Sequence, residues 1–356
     1  MLRRHFFSLF GTVPALWSMY SARGVEPSSA PPNWQTATLG GLQYWSDEQI
    51  FHRYRIQRNV ATGHFRLLDG SDERLAWGTF EQCCAKLDEI KREERLKPLP
   101  KRVVLTLHGI IRSRHSMAPL AEYLREQEKT PVYQVGYSST QQSIPQAAAT
   151  LDRLICRLEG VEEIDVVAFS MGNLVLRHWI GDVLAAAKKD AGAVATDAQV
   201  AAVGDAPVTP TAEVVRRPKL RRCVMIGPPN NGAARAQLWQ DSTVGRELFS
   251  LVLGEAGEQL GARFNEIKDH LAAPEGEFGI IAGGKGDADG WHDGIPGDDD
   301  GTVGVEETKV PGAADFAIVP VRHTWLVSDR RVQTMVYTFL KHGYFRSAQE
   351  RQPLAK

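Results

Sequence analysis

Residues 164–173 read Ile-Asp-Val-Val-Ala-Phe-Ser-Met-Gly-Asn, an apolar β-type run that ends in a serine among small residues and leads into a stretch of helical character. A serine at the tip of a sharp strand-to-helix turn presents its hydroxyl to one point, the next backbone N–H aims at the same point, and small neighbours are needed to avoid clashes. Ser170 has Ala168 two residues before it and Gly172 two after it. The usual pattern is Gly-x-Ser-x-Gly, from which alanine departs only by a methyl group. The stretch predicts a buried strand and a nucleophile elbow at Ser170.

Outward from the elbow, strands and helices alternate, which predicts an α/β fold with a mostly parallel sheet and helices on both faces over residues 101–345. Residues 103–107, apolar but for Thr106, read as a strand bounded by His108-Gly109, and 132–135 read as another. Leu120 and Leu124 suit a helix, and Ile144, Ala148, Leu151, Ile155 and Leu158 fall on one helical face. Further strands are expected at 223–226, 278–282 and 317–321, and Val332, Met335, Val336, Phe339 and Leu340 place a closing helix. Residues 185–218, rich in Ala, Val, Thr and Asp with no sustained period, predict a low-complexity insertion. Segment 235–275, with Leu238, Trp239, Leu248 and Phe249, is a candidate helical cap.

The chemistry follows the strand ends, where open α/β sheets place their sites. Asp300-Gly301-Thr302-Val303 comes after the penultimate strand and His323 after the last, giving the chain order nucleophile, acid, histidine. A serine hydroxyl is a poor nucleophile until a base takes its proton, and imidazole titrates close enough to neutrality to do so. His323 fits that role, with Asp300 fixing its tautomer and Asp298 and Asp299 as rivals. His108-Gly109-Ile110-Ile111 forms the turn after the first sheet strand, so the backbone N–H of Ile110 and that of Met171 are the candidate oxyanion donors. His108 and His178 read as structural. Asp287, Asp289, Asp293 and Asp298 raise calcium as a question, but no complete calcium-loop spacing is present and no metal is expected.

The 356 residues are 43% hydrophobic and 24% charged, enough for one large core with appendages. A formal net charge of -1 disfavours nucleic-acid binding. Cys83, Cys84, Cys156 and Cys223 show neither metal-ligand spacing nor a disulfide framework. Residues 1–24 have the shape of a signal peptide: Arg3 and Arg4 without an acid, an uncharged apolar run, then Ala22-Arg23-Gly24. The two arginines resemble a twin-arginine signal, so export is expected, with a cytoplasmic extension as the alternative. Residues 25–34 read as a proline-containing linker, and 35–97 as a small α+β module of three strands and a helix to which no function is assigned.

Leu107-His108-Gly109, Ala168-Phe169-Ser170-Met171-Gly172, Ile226-Gly227-Pro228-Pro229-Asn230-Asn231-Gly232, Asp300-Gly301-Thr302-Val303 and Val321-Arg322-His323-Thr324 together resemble the α/β-hydrolase superfamily. They are most similar to its bacterial lipase- and esterase-like members, related to triacylglycerol lipases and inositol-deacylase-like hydrolases. The resemblance implies the α/β-hydrolase fold and a serine ester hydrolase that needs no cofactor. It further implies a small-molecule or lipid ester as substrate, with transient contact at a membrane surface. Ala168, Asn173 and the insertion depart from the family pattern, and residues 1–100 lie outside it. An acyltransferase with the same three residues, or a catalytically silent lipid- or glycan-binding protein, are the competing readings.

Overall fold

The computed structural model describes residues 42–127, 130–197, 217–234, 236 and 243–355. The expected signal peptide and linker, residues 198–216 of the expected insertion, and Leu238 and Trp239 lie outside them. The first elements are an antiparallel sheet in the order β1 (Trp45–Phe51), β2 (Tyr54–Asn59), β3 (Phe65–Leu68) and β4 (Arg74–Gly78), followed by α1 (Phe80–Glu93). This is one strand more than the alternation over 50–56 predicts. Phe51 pairs with Tyr54 across a two-residue turn, and His52 takes the left-handed conformation (φ 52°) that closes it. Thr79 starts α1 through a reciprocal capping box with Gln82.

The second sheet is built from β5 (Arg102–Leu107), β6 (Val132–Val135), β7 (Glu163–Phe169), β8 (Lys219–Ile226), β9 (Glu277–Gly283) and β10 (Asp315–Val319). Its order is β10-β9-β8-β7-β5-β6 and every pairing is parallel. Between the strands run α2 (Ala118–Gln127), α3 (Ile144–Cys156), α4 (Gly172–Asp197) and α5 (Thr243–Leu260), with α6 (Arg330–His342) closing the order. Strand alternation divides the core into two layers. Val103, Leu105, Ile164, Val166, Cys223, Met225 and Ile280 join one apolar cluster with α3 and α4; Val104, Val167, Val224 and Ile281 join the other with α2 and α6. This is the α/β-hydrolase fold. No helix among the described residues is long and apolar enough to cross a membrane.

The four-stranded sheet does not keep a core to itself. Ile50, Ile56, Leu67, Cys83 and Leu87 belong to the same cluster as Leu105, Val166 and α3. A buried polar staple crosses the same seam: Asp47 on β1 accepts from Arg55 (2.6 Å), Gln57 (2.8 Å) and the Gly136 N–H (2.7 Å), and donates its own N–H to Gly136 O. Helix α4 reaches Asp197, well into the stretch in which the missing period predicts an insertion. That stretch carries many alanines, the strongest helix formers, so propensity sustains the helix where amphipathic pattern is absent.

Candidate active site

Parallel pairing brings the carboxyl ends of β5, β7, β8, β9 and β10 to one edge, and the candidate residues all leave from that edge. Ser170 follows β7 directly with φ 53°, a left-handed conformation that a non-glycine residue holds only when its surroundings enforce it. The enforcement is visible. Ser170 N–H donates to Ile226 O (2.9 Å) and Asn173 N–H donates to Ser170 O (3.0 Å), tying the turn to β8 and to the start of α4. Asn173 Nδ2 also donates to Ser170 O (2.9 Å), so the residue that departs from the family pattern is a second tie on the elbow. A Cβ at Gly172 would stand 2.8 Å from the His108 carbonyl oxygen, so only glycine lets α4 begin this close to β5.

His323, in the short turn after β10, places Nε2 3.0 Å from Ser170 Oγ and Nδ1 2.6 Å from Asp300 Oδ2. All three residues are buried. Asp300 Oδ1 accepts the N–H groups of Thr302 (2.9 Å) and Val303 (2.8 Å), which fixes the carboxylate, and His323 N–H donates to Asp300 O (2.9 Å). The two rival acids are engaged by backbone N–H groups of the loop. Asp299 accepts from His292 and Gly301 N–H, and Asp298 from Lys285 and Gly286 N–H, so both serve the folding of the loop. Asp287 likewise closes a turn on Asp289 and Gly290 N–H.

Met171 is buried and Ile110 half-buried, and among the described residues neither backbone N–H has a hydrogen-bond partner. Ile111, next in the chain, is 53% exposed and held at φ 59°, a costly conformation for a β-branched residue. Trp325, two residues past His323, is 65% exposed. His108 is structural, as expected: it is fully buried, stacked on Tyr137 at 4.2 Å, and burial lowers its pKa to about 4. The segment 226–232 supports the site mechanically. Asn230 donates to Thr308 O (2.7 Å) and accepts from Arg177 (3.2 Å), pinning the loop after β8 to α4. Arg177 was legible only as a charge inside an otherwise apolar run, a position that demands buried partners.

No protein-family model matches the chain, and no curated protein matches it. Solved structures match over part of its length. The lipase BlEst2 of Bacillus licheniformis, in its propeptide form, shares 17% identity at a TM-score of 0.49, covering 72% of this chain and 54% of that one. Phospholipase PlaB of Legionella pneumophila shares 17% identity at a TM-score of 0.38, covering 58% of this chain and 45% of that one. The metagenomic carboxyl esterase MGS0156 shares 10% at 0.40, covering 65% and 68%. The chain thus spans about half the length of the lipase and of the phospholipase.

Proposed function

We propose that this chain, which has the α/β-hydrolase fold, is a serine carboxylic-ester hydrolase. The observation that carries the reading is the unbroken line from Ser170 Oγ through both nitrogens of His323 to Asp300. Ser170 Oγ attacks the ester carbonyl as His323 Nε2 takes its proton, and Asp300 holds Nδ1–H and stabilises the imidazolium. The N–H groups of Ile110 and Met171 receive the negative oxygen of the tetrahedral intermediate. Collapse expels the alcohol, which leaves with the proton from His323. Water, deprotonated by the same nitrogen, then attacks the acyl-enzyme and frees the acid and Ser170.

Hydrolysis of chromogenic esters of increasing acyl length tests the proposal. Wild type should turn over, and Ser170→Ala should lose roughly a thousandfold or more in kcat with its melting temperature nearly unchanged. Equal turnover by both proteins would reject it. A transfer product on addition of a simple alcohol, with hydrolysis suppressed, would redirect it to an acyltransferase.

A further inference from the structure

His178 and Asp182 stand one turn apart on α4, and His270, in the 3₁₀ turn Lys268–His270, meets them from the segment before β9. Asp182 Oδ2 lies 3.2 Å from His178 Nδ1, and its Oδ1 lies 2.7 Å from His270 Nε2. The two imidazole rings are 4.5 Å apart between centroids. One ligand atom from each of the three falls within 4.8 Å of the others, and no other group of three His, Cys, Asp or Glu converges in this way among the described residues. Bonds of ~2.0–2.1 Å to a tetrahedral zinc ion separate its ligands by about 3.3 Å, so small side-chain adjustments bring this set into range.

The meeting is built by residues that are not ligands themselves. Gly181 lies between His178 and Asp182, and a Cβ there would stand 2.1 Å from the His270 carbonyl oxygen. Only glycine lets the turn lie on the helix. Arg177 then grips the segment just beyond, donating to Leu271 O (2.8 Å) and Ala272 O (3.1 Å) while its own carbonyl accepts from Ala272 N–H. His178 is buried, whereas Asp182 and His270 are each more than a third exposed, which leaves the cluster open to solvent on one side.

We propose that His178, Asp182 and His270 form a divalent-metal site, suited first to zinc, with a fourth position for water. Two imidazole nitrogens with one carboxylate oxygen make a set that suits zinc, whereas calcium and magnesium prefer all-oxygen sets. His178 is eight residues beyond Ser170, ~12 Å along the helix axis, so the ion is a cross-link and not part of the ester chemistry. It joins the helix that carries the elbow to the segment entering β9.

The test is titration of the metal-free full-length chain with Zn²⁺ and with Co²⁺. One zinc should bind per chain, thermal stability should rise with free zinc as mass action requires, and cobalt should give the intense visible bands of a four-coordinate site. Asp182→Asn and His270→Gln should each weaken binding by at least roughly 10–100-fold and remove the thermal gain, while Ser170→Ala leaves both intact. Should either variant fold poorly, the wild-type cobalt spectrum decides, because weak six-coordinate bands overturn the proposal. Absence of saturable zinc binding, or binding undiminished in both variants, overturns it as well.

Discussion

A hydroxyl and an imidazole 3.0 Å apart do useful chemistry only if the imidazole keeps one tautomer, and here that depends on a single carboxylate. Asp300→Asn should lower kcat by about four orders of magnitude with little change in KM, since an amide can hold the wrong tautomer. Asp298→Asn and Asp299→Asn should act on stability of the loop, because their oxygens are spent on backbone N–H groups; steady-state kinetics on the three variants separates the roles. Ser170 and His323 were legible in the sequence because each sits beside a strand end with a distinctive local pattern. Asp300 was the preferred acid among three consecutive aspartates, but the sequence left Asp298 and Asp299 as rivals, because backbone hydrogen bonds within the loop decide which carboxylate meets the imidazole. His178 illustrates the same limit: its partner Asp182 is a helical neighbour, but His270 arrives from 92 residues away.

The elements that carry the site are held by polar ties at their ends and by apolar faces along their lengths. The tie most exposed to test is Asp47, fully buried on β1 and accepting from Arg55, Gln57 and Gly136. Asp47→Ala leaves the partly buried Arg55 guanidinium, the Gln57 amide and the Gly136 N–H without their acceptor and should cost about 3–5 kcal/mol, read as a lower midpoint in urea unfolding. An unchanged midpoint would mean that the first sheet contributes little to the second. Strands of the parallel sheet were readable as continuous apolar runs, since burial on both faces removes the polar alternation. The division between β1 and β2 was hidden, because a two-residue turn at His52-Arg53 leaves the apolar alternation nearly unbroken.

Across the whole molecule, the shared apolar cluster makes the first sheet, α1 and the α/β layers one cooperative body over the described residues. A second bridge spans it: Asp72, in the β3–β4 turn, pairs with Arg114 and His115 beyond β5. Burial alone would raise the Asp72 carboxyl, but hydrogen bonds from His115 and Arg114 outweigh it and hold the group well below the usual carboxylate range. A carboxylate depressed in the folded state contributes stability above its unfolded value near ~3.9, and that contribution is lost as pH falls toward the folded value. Asp72→Asn should therefore be less stable than wild type at neutral pH, with the difference closing below about pH 4 in thermal melts. These couplings were not legible in the sequence, because residues 35–97 carry their own turn and strand signals and nothing local marks the side that packs on α3. The central claim, that Ser170 is a nucleophile activated by His323, is tested most directly by intact-protein mass spectrometry after exposure to a fluorophosphonate. A single adduct that maps to Ser170 and is absent in both Ser170→Ala and His323→Ala is the expected result; an undiminished adduct in Ser170→Ala, or none on the wild type, would contradict it.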